Sequence, residues 1–297
     1  AGGDFAGADV YQVQVFSVQA GGRGLMRRIA VHLLLIALAA AAVLPFVWLI
    51  CAAFKSPEDL LSSVLFPWGH LDRLTLDNFR MLRDQPFARW VINSIFLSSL
   101  HTVLVVTLSS LGGFALAKYE FAGKRVIMVI MLATMLLPSQ VLVPGSYELM
   151  YHLHWIDSYL AIIVPGAVSV FGIILFRQAM IGVPDELLQC GRLDGCSEWR
   201  LWWDIALPVV RPMIGAYTLL SFLAEWNSFL WPQVILQNEA KYTLPIGLNS
   251  LAGLPEYQHQ YGVVMAATLV SILPVAVLFF ALQRDFISGL ASGAVKG

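Results

Sequence analysis

Charged residues are scarce in this chain. Only 12% of its 297 residues are Asp, Glu, Lys or Arg, while 58% are hydrophobic. An ordinary soluble domain has about 25% charged residues, so the chain has too little polar surface for a soluble globule of this length. The net charge of -1 and the lack of a clustered basic face exclude a nucleic-acid partner, because displacing counterions from phosphates requires such a face.

Motifs for metals and nucleotides are also missing. The cysteines Cys51, Cys190 and Cys196 form no Cys-x-x-Cys pair and no metal-ligand spacing, so we expect small buried thiols rather than a disulfide framework or a zinc site. No G-x-x-x-x-G-K-[ST] phosphate loop occurs. We therefore expect no cofactor on this chain.

What the sequence has in abundance is long apolar runs. A helix needs about 20 apolar residues to cross roughly 30 Å of hydrocarbon with every backbone polar group satisfied internally. Six segments reach that length: 29–54, 91–117, 126–147, 158–180, 209–231 and 261–282. Pro138 and Pro144 interrupt the third segment, which predicts a kink, with a re-entrant segment as the alternative. The sequence thus predicts an all-α, polytopic membrane protein with six transmembrane helices.

The first residues differ from the rest. Residues 1–25 are rich in Gly, Ala and Gln, contain no apolar run and precede Met26-Arg27-Arg28. We expect them to be an extension that is disordered or not native, and residues 26–297 to form the transmembrane domain. If the N-terminus is cytoplasmic, twelve of the eighteen Lys and Arg residues fall on the cytoplasmic side. The positive-inside rule therefore favours both termini inside.

The longest inside loop, residues 181–208, is unusually apolar. Pro184 and Asp185 suit a helix start, Gly195 a break, and Ser197 the cap of a second short helix. Six large apolar side chains lie in this segment: Leu187, Leu188, Leu193, Trp199, Trp202 and Trp203. Each buried tryptophan removes roughly 150 to 250 Å² from water, so we expect a cover for this cluster. Either a docking partner or the headgroup belt of the membrane would supply it.

This loop resembles the coupling loop of permease subunits from ATP-binding-cassette importers, whose pattern is Glu-Ala-Ala, two residues, Asp-Gly-Ala and a later Leu-Pro. Asp194-Gly195 and Leu207-Pro208 match it, whereas Gln189, Cys190 and Gly191 replace Glu-Ala-Ala. The resemblance implies that the loop docks into a nucleotide-binding subunit, and that Gln189 removes a salt bridge from this contact. The coupling residues it implies are Glu186, Gln189, Cys190, Gly191, Asp194, Gly195, Trp199, Leu207 and Pro208.

The resemblance covers residues 26–297 and is closest to the shorter permease subunit of carbohydrate importers of the maltose-permease type. The stretches that carry it are Asn93-Ser94, Phe114 to Lys124, Trp226-Asn227 with Trp231-Pro232 in the fifth span, Thr243 to Leu248, Gln283-Arg284 and Gly293 to Gly297. It implies a bacterial or archaeal inner or plasma membrane. The implied partners are a second homologous permease, two nucleotide-binding ATPase subunits, an extracytoplasmic binding protein, a sugar or sugar-like substrate and the lipid bilayer.

Two segments outside the spans have both a plain and a family interpretation. The tail with Gly293, Lys296 and Gly297 would be disordered as a free end. The resemblance instead implies that it reaches into the interface between the ATPase subunits. The outside loop 233–260 would be a simple connector, whereas the resemblance implies that it enters the binding protein. The residues concerned there are Tyr242, Leu244, Pro245 and Gly247.

Gln140, Glu225 and Asn227 are the candidates for the translocation path. A charge at mid-bilayer costs about 2.5 to 3.5 kcal/mol on insertion scales, so we expect Glu225 to face a cavity or a partner helix. Hydrogen bonding between helices or an outer-interface position is the plainer alternative for Glu225 and Asn227. For Gln140, the kink at Pro138 explains the local polarity almost as well.

Two other functions would require different sequence features. An ion-coupled secondary transporter would show paired ionisable residues near the midplane and an internal repeat, and the sequence shows neither. An intramembrane enzyme would need a catalytic pair at mid-span, for which His101 beside Ser98 and Ser99 is the one weak candidate. His32, His101, His152 and His154 have no carboxylate at ligand spacing, so we expect structural roles for them. We therefore expect a transporter without enzymatic activity of its own, working by alternating access.

Overall fold

The structure, a computed structural model, describes residues 22–56, 74–253 and 261–294. The regular elements in these ranges are helices, with no strand among them. Four helices are long and apolar enough to cross a membrane: Arg27–Ala53, Phe87–Lys118, Leu160–Ile181 and Tyr261–Arg284. Two sharply bent helix pairs, Lys124–Thr134 with Ser139–His152 and Glu198–Val209 with Arg211–Trp226, raise the number to six if each is one span.

The chain divides into two compact units, one ending at Trp48 and the other beginning at Leu49. The first unit holds most of helix α1 (Gly22–Ala53), whose side chains from Arg27 to Phe46 are exposed. They are mostly Ala, Leu, Ile and Val, which a bilayer covers and water does not. Helix α1 begins at Gly22 and therefore includes the last residues of the predicted extension 1–25. Residues 1–21 lie outside the described residues.

The second unit is organised around α3 (Phe87–Lys118), which packs against α7 (Val170–Ile181) and α11 (Arg211–Trp226). Gly113 makes the first of these crossings close. A Cβ atom at this position would lie 2.6 Å from the Cβ atom of Phe176. Small residues at membrane helix crossings allow such approach, and van der Waals packing then holds the helices together. Helix α14 (Tyr261–Ala294) lies against α11.

The short helix α2 (Asp77–Arg83) precedes α3. The third predicted span, which follows α3, is broken. Helix α4 (Lys124–Thr134) is followed by a 3₁₀ turn (Ser139–Leu142) and α5 (Val143–His152), with a 93° bend between the two halves. Pro138 adopts an extended conformation at the bend, and Pro144 lies in the first turn of α5, where a missing N–H costs nothing. The predicted interruption is therefore confirmed, and Pro138 causes it.

The prediction for the fifth span, 209–231, is wrong at its C-terminal end. Helix α11 stops at Trp226, and the side-chain amide of Asn227, the next residue, donates back to the Leu223 carbonyl at 2.8 Å. Trp231 and Pro232 belong instead to a separate helix, α12 (Leu230–Ile235). The fourth span is also divided, into α6 (Leu160–Gly166) and α7.

Candidate functional site

The loop predicted to couple to an ATPase is a helical hairpin, residues 181–209, which we call the docking hairpin. It comprises α8 (Asp185–Leu193), α9 (Glu198–Arg200), a π-helix (Leu201–Ala206) and α10 (Leu207–Val209). An 86° bend separates it from α11. The predicted pair of short helices with a break between them is therefore confirmed.

The turn of the docking hairpin follows the predicted chemistry with one exception. Gly195 has φ +79°, a left-handed conformation that favours glycine. Pro184 precedes α8, and Asp185 places a negative charge in its first turn. Ser197 has the extended backbone of an N-cap, but its side chain makes no cap hydrogen bond. The predicted side-chain cap is wrong, and the carboxylate of Glu198 in the first turn of α9 provides the favourable charge instead.

The inner face of the docking hairpin is anchored in the core. Leu188, Leu201 and Trp202 are almost fully buried and cluster with Phe114 of α3. A Cβ atom on Gly191 would lie only 2.6 Å from Leu201 Cδ2, so any larger residue there would force Leu201 to shift. The glycine that replaces a family alanine thus lets α8 and the π-helix approach closely.

The outer face is different, because large apolar side chains there have no cover within the described part of the chain. Leu193 is 87% and Trp199 59% exposed, and Leu187 and Trp203 are also exposed. Trp199 rests on buried Trp202, with ring centroids 4.7 Å apart. The six predicted apolar residues therefore divide into two that the chain buries itself and four that remain available.

A polar network ties the docking hairpin to the end of α3. Arg192 donates from Nε to Glu198 Oε1 at 2.9 Å, and the Tyr119 hydroxyl donates to Glu198 Oε2. These hydrogen bonds, first from Arg192 and then from Tyr119, lower the pKa of the Glu198 carboxyl below its usual value. Beside them, Lys118 donates to Asp185 Oδ1 at 2.7 Å and to the Val183 carbonyl. These bonds connect the hairpin to the end of a candidate membrane span.

Most predicted coupling residues lie on the surface of the docking hairpin. The exposed ones are Glu186, Gln189, Cys190, Asp194, Gly195, Trp199 and Pro208, while Gly191 is buried and Leu207 half-buried. All three cysteines are free thiols. The expectation of buried thiols is confirmed for Cys51 and wrong for Cys190, which is exposed because it lies on the outer face of α8.

A cavity of about 460 Å³, lined by both apolar and polar side chains, lies where the broken third span meets α6 and the end of α11. Gln140 and Glu225 both line it, together with Trp231. The structure thus brings together two of the three predicted path residues. Asn227 is not among the lining residues and makes the intrahelical hydrogen bond described above, which is the plainer of its two interpretations.

Glu225 has an ionisable neighbour that sequence spacing does not reveal. His101 Nδ1 lies 3.8 Å from Glu225 Oε2, and the two side chains are only 15% and 13% exposed. Gly166 makes room for the imidazole, since a Cβ there would lie 2.8 Å from His101 Cε1. The expectation that no carboxylate accompanies His101, and that no ionisable pair occurs between spans, is therefore wrong. No cluster of three metal-ligating side chains exists among the described residues.

The outside segment before α13 (Leu244–Gly253) is anchored rather than loose. The Leu244 N–H donates to Ser94 Oγ at 2.7 Å, and Asn93 donates from Nδ2 to the Tyr242 carbonyl at 2.9 Å. Of the predicted binding-protein contacts, Leu244 and Gly247 are buried, and Tyr242 and Pro245 are half-buried. The described part of this predicted outside loop contains a 3₁₀ turn and α13.

The C-terminal segment continues α14 as a helix to Ala294, so Gly293 is helical. The expected free, disordered end is therefore wrong for the residues up to Ala294. Lys296 and Gly297, the other residues predicted to reach the ATPase, lie outside the described residues.

Comparisons with known proteins agree on one kind of protein. Residues 109–289 match the family described as binding-protein-dependent transport system inner membrane component. The chain is 36% identical, over 86% of its length, to the arabinooligosaccharides transport system permease protein AraQ of Halalkalibacterium halodurans, and covers 92% of that protein. It is 30% identical to the lactose transport system permease protein LacG of Rhizobium radiobacter, over 86% of this chain and 91% of that one.

A solved structure has the same fold. It belongs to a bacterial ABC transporter involved in the import of the acidic polysaccharide alginate, and it matches with a TM-score of 0.78 over 88% of this chain and 96% of that chain. Its sequence identity is 24%, so the likeness concerns the fold alone.

Proposed function

The chain belongs to the family of binding-protein-dependent transport system inner membrane components, and from this premise we propose that it is one of two permease subunits of an ATP-driven sugar importer. Relatives named for arabinooligosaccharides and lactose support an oligosaccharide or similar polyhydroxylated solute. The chain forms half of the translocation pathway, and a second, homologous permease forms the other half. ATP and Mg²⁺ are bound by two separate ATPase subunits, and this chain catalyses no reaction.

The observation that carries this proposal is the exposed apolar face of the docking hairpin. Exposed clusters of this kind, rimmed by charge, mark interaction surfaces. Leu193 and Trp199 project from a hairpin that is fixed from behind by buried Trp202. A rigid element with an apolar outer face fits a cleft on an ATPase subunit better than it fits the headgroup belt, because its polar network points back to α3 rather than outward. The surrounding residues Glu186, Gln189 and Asp194 form the polar rim.

The docking hairpin lies in the cytoplasm in this proposal, as do both termini. The arrangement agrees with the distribution of Lys and Arg along the chain. When nucleotide binding closes the ATPase pair, the docked hairpin moves, and the bonds from Tyr119 and Lys118 carry the motion into α3. The bundle then rocks between inward-open and outward-open states around the solute path.

The solute path passes the cavity near Glu225. Carboxylate and amide oxygens accept hydrogen bonds from sugar hydroxyls, and Gln140 and Glu225 present such groups to one cavity. Trp231, whose Nε1 donates to the Ala161 carbonyl at 2.9 Å, provides a fixed aromatic surface there. Asn227 supports the end of α11 beside this path.

At the opposite end, the outside segment 237–247 meets the binding protein. Gln237, Asn238 and Glu239 are exposed, and the backbone N–H groups of Gln237 and Asn238 donate to the Asp157 carboxylate at 3.0 and 3.1 Å. Tyr242 and Pro245 form the half-buried margin of this surface, while Leu244 and Gly247 support it from inside. The tail with Gly293, Lys296 and Gly297 extends towards the ATPase subunits on the cytoplasmic side.

The docking proposal is tested with the double variant Leu193→Ala/Trp199→Ala in the assembled importer. We expect ATPase subunits to dissociate during purification and solute-stimulated hydrolysis to fall by about tenfold or more, as when a hot-spot contact of about 1.4 kcal/mol is lost. The matched control is Leu149→Ala/Tyr151→Ala, which removes an equally exposed pair on α5. Retention of the ATPase subunits by the first variant would contradict the proposal.

An ion-coupled carrier is the second candidate, and the His101–Glu225 pair is the observation in its favour. A carrier of that kind takes up solute when an ion gradient is present, without ATP. If the chain belongs to an ATP-driven importer instead, uptake into vesicles should depend on ATP inside and should survive collapse of the proton gradient by a protonophore. Uptake that stops with the protonophore and continues without ATP would replace the importer by the carrier.

A further inference from the structure

A second cavity, of about 490 Å³, lies at the turn that joins α3 to α4. Its lining includes three basic residues, Lys124, Arg125 and Arg177, and a single acidic residue, Glu120. It shares no lining residue with the cavity near Glu225. Nothing in the transport mechanism above uses it.

The positive charge in this cavity is unevenly balanced. Lys124 already has partners, since its Nζ donates to Glu120 Oε1 at 2.8 Å and to the Tyr119 carbonyl at 2.9 Å. Arg125 and Arg177 form no ion pair with any described residue. The Nε atom of Arg177 is buried and has no hydrogen-bond partner within the described ranges. A buried donor without an acceptor is unfavourable, so an anion that accepts from Arg177 would stabilise the cavity.

The backbone adds to this preference. Helix α4 begins at the cavity, with Gly123 at its N-cap in a left-handed conformation, and it has no acidic residue in its first turn. The positive end of the helix dipole is thus left without a negative side chain. This positive helix end lies at the same cavity as Arg125 and Arg177.

The surroundings indicate what kind of anion fits. Val126 and Met128 line the cavity beside the charges, and none of the residues of α4 is buried. Val126, Val129 and Ile130 are each more than half exposed, so an apolar surface runs along the helix away from the basic end. A charged head beside a continuous apolar flank matches a lipid, and basic pockets between spans at the cytoplasmic side of a membrane hold anionic headgroups.

We propose that this cavity binds the phosphodiester headgroup of an anionic phospholipid, with Arg125 and Arg177 as its ligands and the acyl chains lying along α4. The turn that forms the site also carries Lys118 and Tyr119, which hold the docking hairpin. An anionic lipid here would therefore stabilise the end of α3 from which the hairpin is held.

The test measures lipid retention by the purified full chain using native mass spectrometry, with phosphatidylglycerol and phosphatidylcholine as probes. We expect phosphatidylglycerol to be retained about tenfold better, and this preference to be lost in Arg125→Gln/Arg177→Gln. The matched control Arg83→Gln/Arg89→Gln removes the same charge from exposed positions at the other end of α3, one at the end of α2 and one in the first turn of α3, and should keep the preference. In Arg125→Lys/Arg177→Lys the charge remains, and the preference should largely return, which separates binding from misfolding.

Three results would overturn the proposal. The first is an unchanged preference for phosphatidylglycerol in the glutamine variant. The second is displacement of that lipid by millimolar inorganic phosphate, which would make the site one for a free anion. The third is loss of ATPase subunits from the complex with lipid retention unaltered, which would assign the cavity to an acidic residue of a partner protein.

Discussion

The hydroxyl of Tyr119, at the end of α3, donates a hydrogen bond to the carboxylate of Glu198 in the docking hairpin, although the two residues are 79 positions apart in the sequence. Arg192 completes the contact with two donors to the same carboxylate, at 2.9 and 3.1 Å. Together with the bond from Lys118 to Asp185, this contact fastens the hairpin to the end of a candidate membrane span.

The state of Glu198 should make the docking hairpin sensitive to acid. Because its folded-state pKa lies below the ordinary value of 4.5, the carboxylate stabilises the hairpin above that value, and this contribution is lost as the pH falls through the lowered pKa. The protection of residues 185–200 against hydrogen exchange, relative to the intrinsic rate at each pH, should thus fall below about pH 4.5 in the wild type. In Glu198→Gln, exchange should be faster at neutral pH and should lack this acid step.

Tyr119→Phe provides the control for that experiment, since it removes only one donor and leaves the ion pair with Arg192. An intermediate rate of exchange is expected. Equal exchange in Glu198→Gln and the wild type at pH 7 would show that the network does not hold the hairpin.

Restoring the family glutamate should strengthen coupling. Gln189 is exposed on α8, where a glutamate would regain a charge pair with the ATPase subunit. We expect Gln189→Glu to preserve transport-linked ATP hydrolysis or to raise it up to about threefold, the scale of a partly exposed ion pair. Gln178→Glu, on exposed α7 surface outside the hairpin, is the matched control. A sharp loss of hydrolysis in Gln189→Glu alone would mean that the hairpin docks differently.

Glu225 should affect the solute rather than the ATPase. Glu225→Gln removes a charge-assisted acceptor from the cavity, so we expect the solute concentration for half-maximal transport to rise about tenfold, the equivalent of about 1.4 kcal/mol. Docking and assembly should be unaffected. Asn227→Ala, which changes a residue outside the cavity lining, should shift this concentration less than twofold, an upper bound of about 0.4 kcal/mol. A reversed order of the two effects would remove the cavity from the solute path.

Gly113, at the crossing of α3 and α7, should not tolerate a larger side chain. A side chain at Gly113 would meet both the Cβ of Phe176 and the backbone nitrogen of Arg177 at 2.6 Å. Gly113→Val is therefore expected to destabilise the subunit by about 1 to 3 kcal/mol or more, measured as unfolding in detergent. Gly145→Val, where an added Cβ meets nothing within 4 Å, should cost clearly less. Equal stability of the two variants would contradict this packing.

Local patterns in the sequence predict much of the fold, because spans are defined by runs of apolar residues and breaks by proline and glycine. Pro138 lies at the break in the third span, and Gly195 lies at the turn of the docking hairpin, as the sequence predicts. The end of α11 could not be predicted in the same way. The Asn227 side chain bonds back into the helix there, and the large apolar residues Phe229, Leu230 and Trp231 that follow favour a longer span.

The site was predictable where its residues are neighbours in sequence and hidden where they are not. The apolar hairpin is visible as a run of Leu and Trp. His101 and Glu225 lie on different spans, and Tyr119 and Glu198 meet only because α3 ends beside the hairpin. Which of six apolar hairpin residues face outward also depends on packing, since Leu187 and Leu188 are adjacent but only Leu188 is buried.

The natural thiol of Cys190 offers the most direct test of docking, because it is exposed on the outer face of α8, while Cys51 is buried. A membrane-impermeant maleimide is applied to a Cys196→Ser background in vesicles of both orientations. The account predicts labelling of Cys190 only in inside-out vesicles, and strong protection once the ATPase subunits are bound. Labelling from the outside, or labelling that the ATPase subunits leave unchanged, would contradict it.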